Sequence, residues 1–213
     1  LPAGSEGQEE WVLVDGTPAS CVQIGLYHYF HDKAPIDLVV SGPNYGRNST
    51  AVFSLSSGTL GGALEAAICK RRAIALSYAF FTRNHDPDII AGASRLSLQI
   101  IEYLYKNWGN NVDLYSVNVP LVEGVEGRKV IWTNMLQNYW EDGSCFQEVT
   151  DEEGDADEEE QKIREREGIP EQTVTRHTHK HFKWAPRFTD VYKSVEEAGP
   201  GNDGWVVKEG HTR

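Results

Sequence analysis

The chain has 213 residues, 39% of them hydrophobic, and a formal net charge of −12. That length holds one domain with room for an appendage, and it is enough to bury a sizeable core. No run of about 18 apolar residues occurs, which excludes a membrane-spanning helix, and no basic face offsets the acidity, which argues against a nucleic-acid surface.

Leu1–Glu10 is polar, lacks an initiator Met and shows no signal peptide, so the chain reads as a fragment or a processed product. Trp11-Val12-Leu13-Val14 predicts a short strand. Asp15-Gly16-Thr17-Pro18 turns the chain, with Thr17 as cap and Pro18 at the first helical position. A helix from Ala19 to about His31 follows. Ile36–Val40 predicts a buried strand. A small-residue loop, Ser56-Ser57-Gly58-Thr59, then opens a helix to about Lys70. Ala73–Ser77 is a third strand. A longer helix runs from Pro87 or Asp88 to about Trp108. Asp113–Val119 is a fourth strand, closed by Pro120. Strands and helices alternate over residues 11–120, which implies a mostly parallel, doubly wound α/β sheet of Rossmann-like form.

After Pro120 the pattern changes. Lys129–Trp132, Arg176–Trp184 and Trp205–Lys208 predict strands of an antiparallel arm. An α/β core over 1–122 and 185–213, with an arm over 123–184, is the domain division this implies. The acidity is local: Glu148–Glu167 carries eleven acids and three bases. The loop over 148–168 is expected to be solvated and mobile. Cys21, Cys69 and Cys145 are expected to be reduced, mostly buried thiols of an intracellular protein.

The most informative stretch is Ser41-Gly42-Pro43-Asn44-Tyr45-Gly46-Arg47-Asn48, directly after a strand. Asn44 and Asn48 are neutral oxygen ligands suited to a hard cation when carboxylates supply the charge. Gly42 and Gly46 let backbone approach a ligand. A plain turn exploiting the left-handed tolerance of Asn is the competing reading. Ser57-Gly58-Thr59 presents N–H groups and hydroxyls to an anion at a helix start, or is an ordinary N-cap. Both loops follow strands, where ligands of such sheets bind. His177, His179 and His181 alternate on one strand face, as a metal site or a half-exposed arm would. No close Asp or Glu pair stands beside the strand ends of the core, so the anionic ligands of any metal must come from elsewhere.

These segments resemble the SurE-like family of metal-dependent phosphatases and nucleotidases. Val14–Val22 is similar to its Asp-Gly-Thr-Pro-Ala-Asp-Cys-Val segment, with Ser20 in place of the Asp. Ser41–Asn48 is similar to its Ser-Gly-x-Asn-x-Gly-x-Asn motif. Ser57-Gly58-Thr59 resembles its helix start, Val117-Asn118-Val119-Pro120 its closing strand, and Asp203 to Gly210 its C-terminal segment. The resemblance implies Asn44 as metal ligand, Asn48, Ser57, Gly58 and Thr59 as phosphate holders, and Ser41, Gly42 and Gly46 as the supporting loop. It also implies a divalent ion, Mg²⁺ or Mn²⁺, and a homodimer.

The family's first strand and its adjacent Asp-Asp pair have no counterpart here, so the catalytic residues stay unassigned. Several dozen residues are expected to precede Leu1, and the chain stops before the family's Thr-Pro-Leu close. The acidic insertion and extended C-terminal region resemble fungal members. Some of those are fused to a tubulin-tyrosine-ligase-like domain and associate with mRNA decay bodies. The expectation is a cytoplasmic, metal-dependent phosphomonoesterase acting on nucleoside monophosphates or similar esters. Its alternative is a weakly active or inactive interaction module of a larger protein, with partners in an mRNA decay complex.

Overall fold

Thr17 starts the first helix by the capping chemistry its position predicts. Its Oγ1 accepts from the Ser20 N–H at 3.2 Å, and Pro18 is the first residue of α1, Pro18–Ile24. A π-turn over Gly25–Tyr29 completes the expected helix. The computed structural model describes residues 11–32, 35–82, 85–141, 144–149 and 180–213. The expectations placed on the acidic residues 150–168 and on His177 and His179 lie outside the described residues. The chain divides into two units, one of Leu1–Tyr139 with Lys193–Arg213, the other of Trp140–Tyr192.

In the larger unit β1 spans Leu38–Tyr45, α2 Thr50–Ser54, α3 Gly58–Ile68, β2 Arg72–Ala79, α4 Pro87–Lys106 and β3 Leu114–Pro120. The three strands form one parallel sheet in the order β1-β2-β3. β2 is buried along its whole length after Arg72. Its Ala73 and Ala75 pack on Leu60, Ala63 and Ala66 of α3. Its Ile74, Leu76 and Tyr78 pack on Ala93, Leu96, Ile100 and Leu104 of α4. The small alanines on one face let α3 lie close, and the larger side chains on the other fill the space under α4. The two helices therefore cover opposite faces while the strand order runs on in one direction. Two successive crossovers of that kind have opposite hands, so one of them departs from the right-handed rule.

β1 is longer than the sequence predicts. It takes in Ser41–Tyr45, with an irregularity between Ser41 and Asn44 and a cis Gly42–Pro43 peptide. β1 has only β2 as a described neighbour, and a proline is tolerated at such an edge. Gly42 has φ +126°, and a Cβ there would lie 2.2 Å from the Leu76 carbonyl oxygen. Only glycine permits that approach.

Four expectations are corrected. Trp11–Val14 is not a strand; Trp11 is 75% and Leu13 84% exposed. An apolar run without a ladder partner has no reason to be one. Trp205–Lys208 is helical, within α6, Asp203–Lys208, because Asn202 accepts from the Trp205 N–H at 2.9 Å as an N-cap. Lys129–Trp132 reduces to one bridge, Val130 to Thr212. The cysteines are unpaired, but Cys21 is exposed and Cys69 and Cys145 only half-buried. In addition, α5, Phe188–Ala198, was not foreseen. In the smaller unit β4, Phe146–Val149, pairs antiparallel with β5, His181–Trp184.

Candidate functional site

The sheet register sets three polar residues in a row. Asn44 of β1 lies beside Ser77 of β2, and Ser77 beside Asn118 of β3. They occupy the face that carries α3, since Ala73 and Ala75, at the same parity as Ser77, pack on that helix. The row lies at the carboxyl ends of parallel strands, where open α/β sheets bind ligands.

Asn48 sits on this row. Its Nδ2 donates to Ser77 Oγ at 2.8 Å, and its backbone N–H donates to Asn118 Oδ1 at 2.7 Å. Its carbonyl accepts from Ser54 Oγ at 2.7 Å, from Arg213 Nη2 at 2.6 Å and from Asn118 Nδ2 at 3.4 Å. Asn48 is 5% exposed. A buried residue with its amide, carbonyl and side-chain nitrogen all engaged holds the loop in one conformation. Asn44 is more open. Its Nδ2 donates to the Gly46 carbonyl at 2.9 Å, which orients the side chain.

Asp203 and Arg213 support Asn48 from behind. Asp203 is fully buried and accepts three backbone N–H bonds, from Thr50 at 2.7 Å, Leu136 at 2.9 Å and Gly204 at 2.8 Å. Arg213 Nη2 lies 3.5 Å from Asp203 Oδ2. Burial pulls the Arg213 guanidinium below its ordinary range, and the Asp203 charge works against that shift. Arg213 also exchanges backbone bonds with Asn118, at 2.9 and 3.2 Å. Thr50, the first residue of α2, has φ +67°, and its buried Oγ1 has no hydrogen-bond partner among the described residues. A β-branched residue in that region is strained, and such strain collects at binding loops.

The second loop is tied to the first through α2. Ser54, which bonds the Asn48 carbonyl, also accepts from the Ser57 N–H at 3.3 Å. Ser57 is the N-cap of α3, and its Oγ accepts from the Leu60 N–H at 3.4 Å. The N–H groups of Gly58 and Thr59 belong to the first turn, which an α-helix leaves without intrahelical partners. α3 packs tightly on β1, since a Cβ at Gly62 would lie 2.8 Å from Ser41 Oγ.

The residues present do not by themselves make a divalent-metal site. The amide oxygen of Asn44 is a suitable neutral donor, but Mg²⁺ takes six oxygens with carboxylates among them. Among the described residues there is no group of three or more His, Cys, Asp or Glu that could hold an ion. His181 lies in β5 of the smaller unit.

The sequence reading assigns no role to Ser77, Thr50 or Arg213, and it quotes Asn118 and Asp203 only as parts of segments that resemble the family's. One signal was readable: Asn202-Asp203-Gly204 is a helix-start pattern with an acid, and burial of that acid demands partners.

The family model described as "Survival protein SurE" matches residues 2–142. A Saccharomyces cerevisiae protein named "Probable tubulin--tyrosine ligase PBY1" is 47% identical over 135 residues, which is 62% of this chain and 18% of that protein. The "5'-nucleotidase SurE" of Ruegeria pomeroyi is 44% identical over 125 residues, covering 55% of this chain and 46% of that one. The Clostridium kluyveri protein of the same name is 36% identical over 142 residues, covering 64% and 56%. The chain thus spans about half the length of these bacterial relatives and a much smaller share of the yeast one. Among solved structures, the SurE protein of Aquifex aeolicus superposes with a TM-score of 0.56 at 25% identity, over 93% of this chain and 65% of that one. The chain belongs to the SurE family.

Proposed function

We propose that this chain carries the phosphate cradle and the neutral metal ligand of a metal-dependent phosphomonoesterase that hydrolyses nucleoside monophosphates. The observation that carries the reading is the Asn44–Ser77–Asn118 row with Asn48 locked on it, tied through Ser54 to the first turn of α3. The Gly58 and Thr59 N–H groups, with the helix dipole behind them, hold the phosphoryl oxygens. The Thr59 hydroxyl and Ser57 orient the ester. Asn48 acts from below, by fixing the loop that carries Asn44. A divalent ion, held from this chain by Asn44, would supply charge stabilisation at the phosphoryl group and an activated water. The nucleotidase names of the bacterial relatives support the choice of substrate.

The test is phosphate release from adenosine 5'-monophosphate by the full-length protein, with and without added Mg²⁺ or Mn²⁺. Metal-dependent release that falls to background in Asn44→Ala is the expected result. Undiminished release by Asn44→Ala would remove Asn44 from the site. The competing reading, an interaction module with little catalysis, draws support from the carboxylate-poor donor set of the described residues. It requires that the full-length protein release no phosphate with either ion.

A further inference from the structure

The two loops of the cradle carry one charged side chain between them. From Ser41 to Thr59 every residue is neutral except Arg47. The groups already placed there are amides, hydroxyls and N–H groups. A helix start contributes the equivalent of about half a positive charge. A phosphomonoester carries close to two negative charges at neutral pH, because its second pKa is about 6. Neutral donors and one helix start leave much of that charge unmet. A divalent ion does not close the gap alone, since the carboxylates that hold such an ion offset its charge.

Arg213 does not meet this need. Its side chain is 7% exposed, and its Nη2 faces Asp203 and the Asn48 carbonyl. Arg47 is half-buried and lies on the loop itself. Its backbone is held from both sides. The Gly46 N–H donates to the Tyr78 carbonyl at 2.9 Å, and the Asn48 N–H donates to Asn118 Oδ1 at 2.7 Å. The Arg47 guanidinium lies over the Phe53 ring, 5.1 Å from its centroid. Phe53 belongs to α2. The next residue, Ser54, donates through Oγ to the Asn48 carbonyl and accepts through its own carbonyl from the Ser57 N–H. The ring that carries the cation is thus set beside the link between the two loops. A contact over a ring consumes none of the N–H donors, which lie in the guanidinium plane. That planar fork matches two phosphoryl oxygens at once.

We propose that Arg47 is a phosphate-binding residue of the cradle, with Phe53 as the ring that positions its guanidinium. The proposal rests on the phosphomonoesterase reading and adds a cation to its neutral donors. Arg47 donates two N–H bonds to the phosphoryl group from the loop side, while the Gly58 and Thr59 N–H groups donate from the helix side. The contact reads the phosphate and not the group esterified to it.

The experiment measures the affinity of the full-length protein for inorganic phosphate by calorimetry, with and without Mg²⁺, beside kcat/KM for adenosine 5'-monophosphate. Arg47→Gln should weaken phosphate about tenfold or more in both conditions, the loss expected of a charge-assisted bidentate contact. Arg47→Lys keeps the charge but not the fork, and its affinity should fall between the two. Phe53→Leu should weaken phosphate less than Arg47→Gln does, and should add nothing to it in the double substitution. In Arg47→Ala, added guanidinium ion should restore part of kcat/KM, while sodium chloride at the same ionic strength should not. A purely structural role would not be rescued in that way. Phosphate affinity in Arg47→Gln equal to that of the parent would overturn the proposal. So would equal losses in Arg47→Lys and Arg47→Gln with no rescue by guanidinium. Failure of the phosphomonoesterase reading looks different: the parent would bind phosphate and lose affinity in Arg47→Gln, yet release none from the nucleotide with Mg²⁺ or Mn²⁺.

Discussion

Arg213 reaches Asp203 inside the protein: the two side chains are 7% and 0% exposed, and Nη2 lies 3.5 Å from Oδ2. The same Nη2 donates to the Asn48 carbonyl at 2.6 Å. One guanidinium thus joins the C-terminal segment to the loop after β1, a separation of 165 residues. Removing one partner of a buried pair strands the other charge and costs about 3–5 kcal/mol. Asp203→Asn and Arg213→Met should each destabilise by an amount in that range, read as a drop in the urea midpoint. The double substitution should cost clearly less than the sum, because neither charge is then left alone. Strict additivity would show that the pair is not coupled.

Gly42 has no substitute. A methyl at its Cβ would sit 2.2 Å from the Leu76 carbonyl oxygen, and φ is +126°. The added carbon would meet backbone of the neighbouring strand β2, so no flexible side chain can yield. Gly42→Ala should cost roughly 2–4 kcal/mol, from the strained φ and the parting of the strands. Circular dichroism on thermal unfolding measures it. A Tm within a degree of the parent would refute the close approach.

The sheet and its two loops were legible because their signals are local. Ile36–Val40, Ala73–Ser77 and Asp113–Val119 are apolar runs between turn residues, and all three became parallel strands. Ser57-Gly58-Thr59 reads as a helix start and is one. Trp205–Lys208 was misread because two adjacent valines look like a strand, while the decisive bond is the Asn202 cap. The network behind Asn48 was not legible at all. Arg213, Asp203 and Asn118 are distant in sequence, and nothing in their spacing says that they meet.

Arg95 ties α4 to the turn at Val125–Gly127. Its Nε and Nη2 donate to Glu126 Oε1 and Oε2 at 2.8 and 2.9 Å, a bidentate pair. The hydrogen bond from Arg95 holds the Glu126 carboxyl below its ordinary 4.5. A depressed carboxylate stabilises the fold above its unfolded value and loses that contribution as pH falls through the folded one. The pair is solvent-facing, so the effect is small and screened by salt. Arg95→Gln should lower Tm slightly at pH 7 in low salt, and the difference should vanish once acid has protonated Glu126. A difference that persists in acid would mean that Arg95 acts through packing alone.

The polar row gives the sharpest test of how the loop is held. Asn118 Oδ1 is the acceptor for the Asn48 N–H, at 2.7 Å, and Asn118 is fully buried. Asn118→Ala withdraws that acceptor where no water replaces it readily, and an unmet buried amide costs about 1–3 kcal/mol. The change does not touch Asn44 or the first turn of α3, so its effect on phosphate must pass through the loop. Two results should appear together: faster hydrogen exchange of the Asn48 amide, and weaker binding of inorganic phosphate. Ser77→Ala, which strands the Asn48 Nδ2, should reproduce both while leaving the backbone bond in place. If exchange quickens and phosphate affinity stays at the parent value, the row stabilises the sheet end without shaping the cradle.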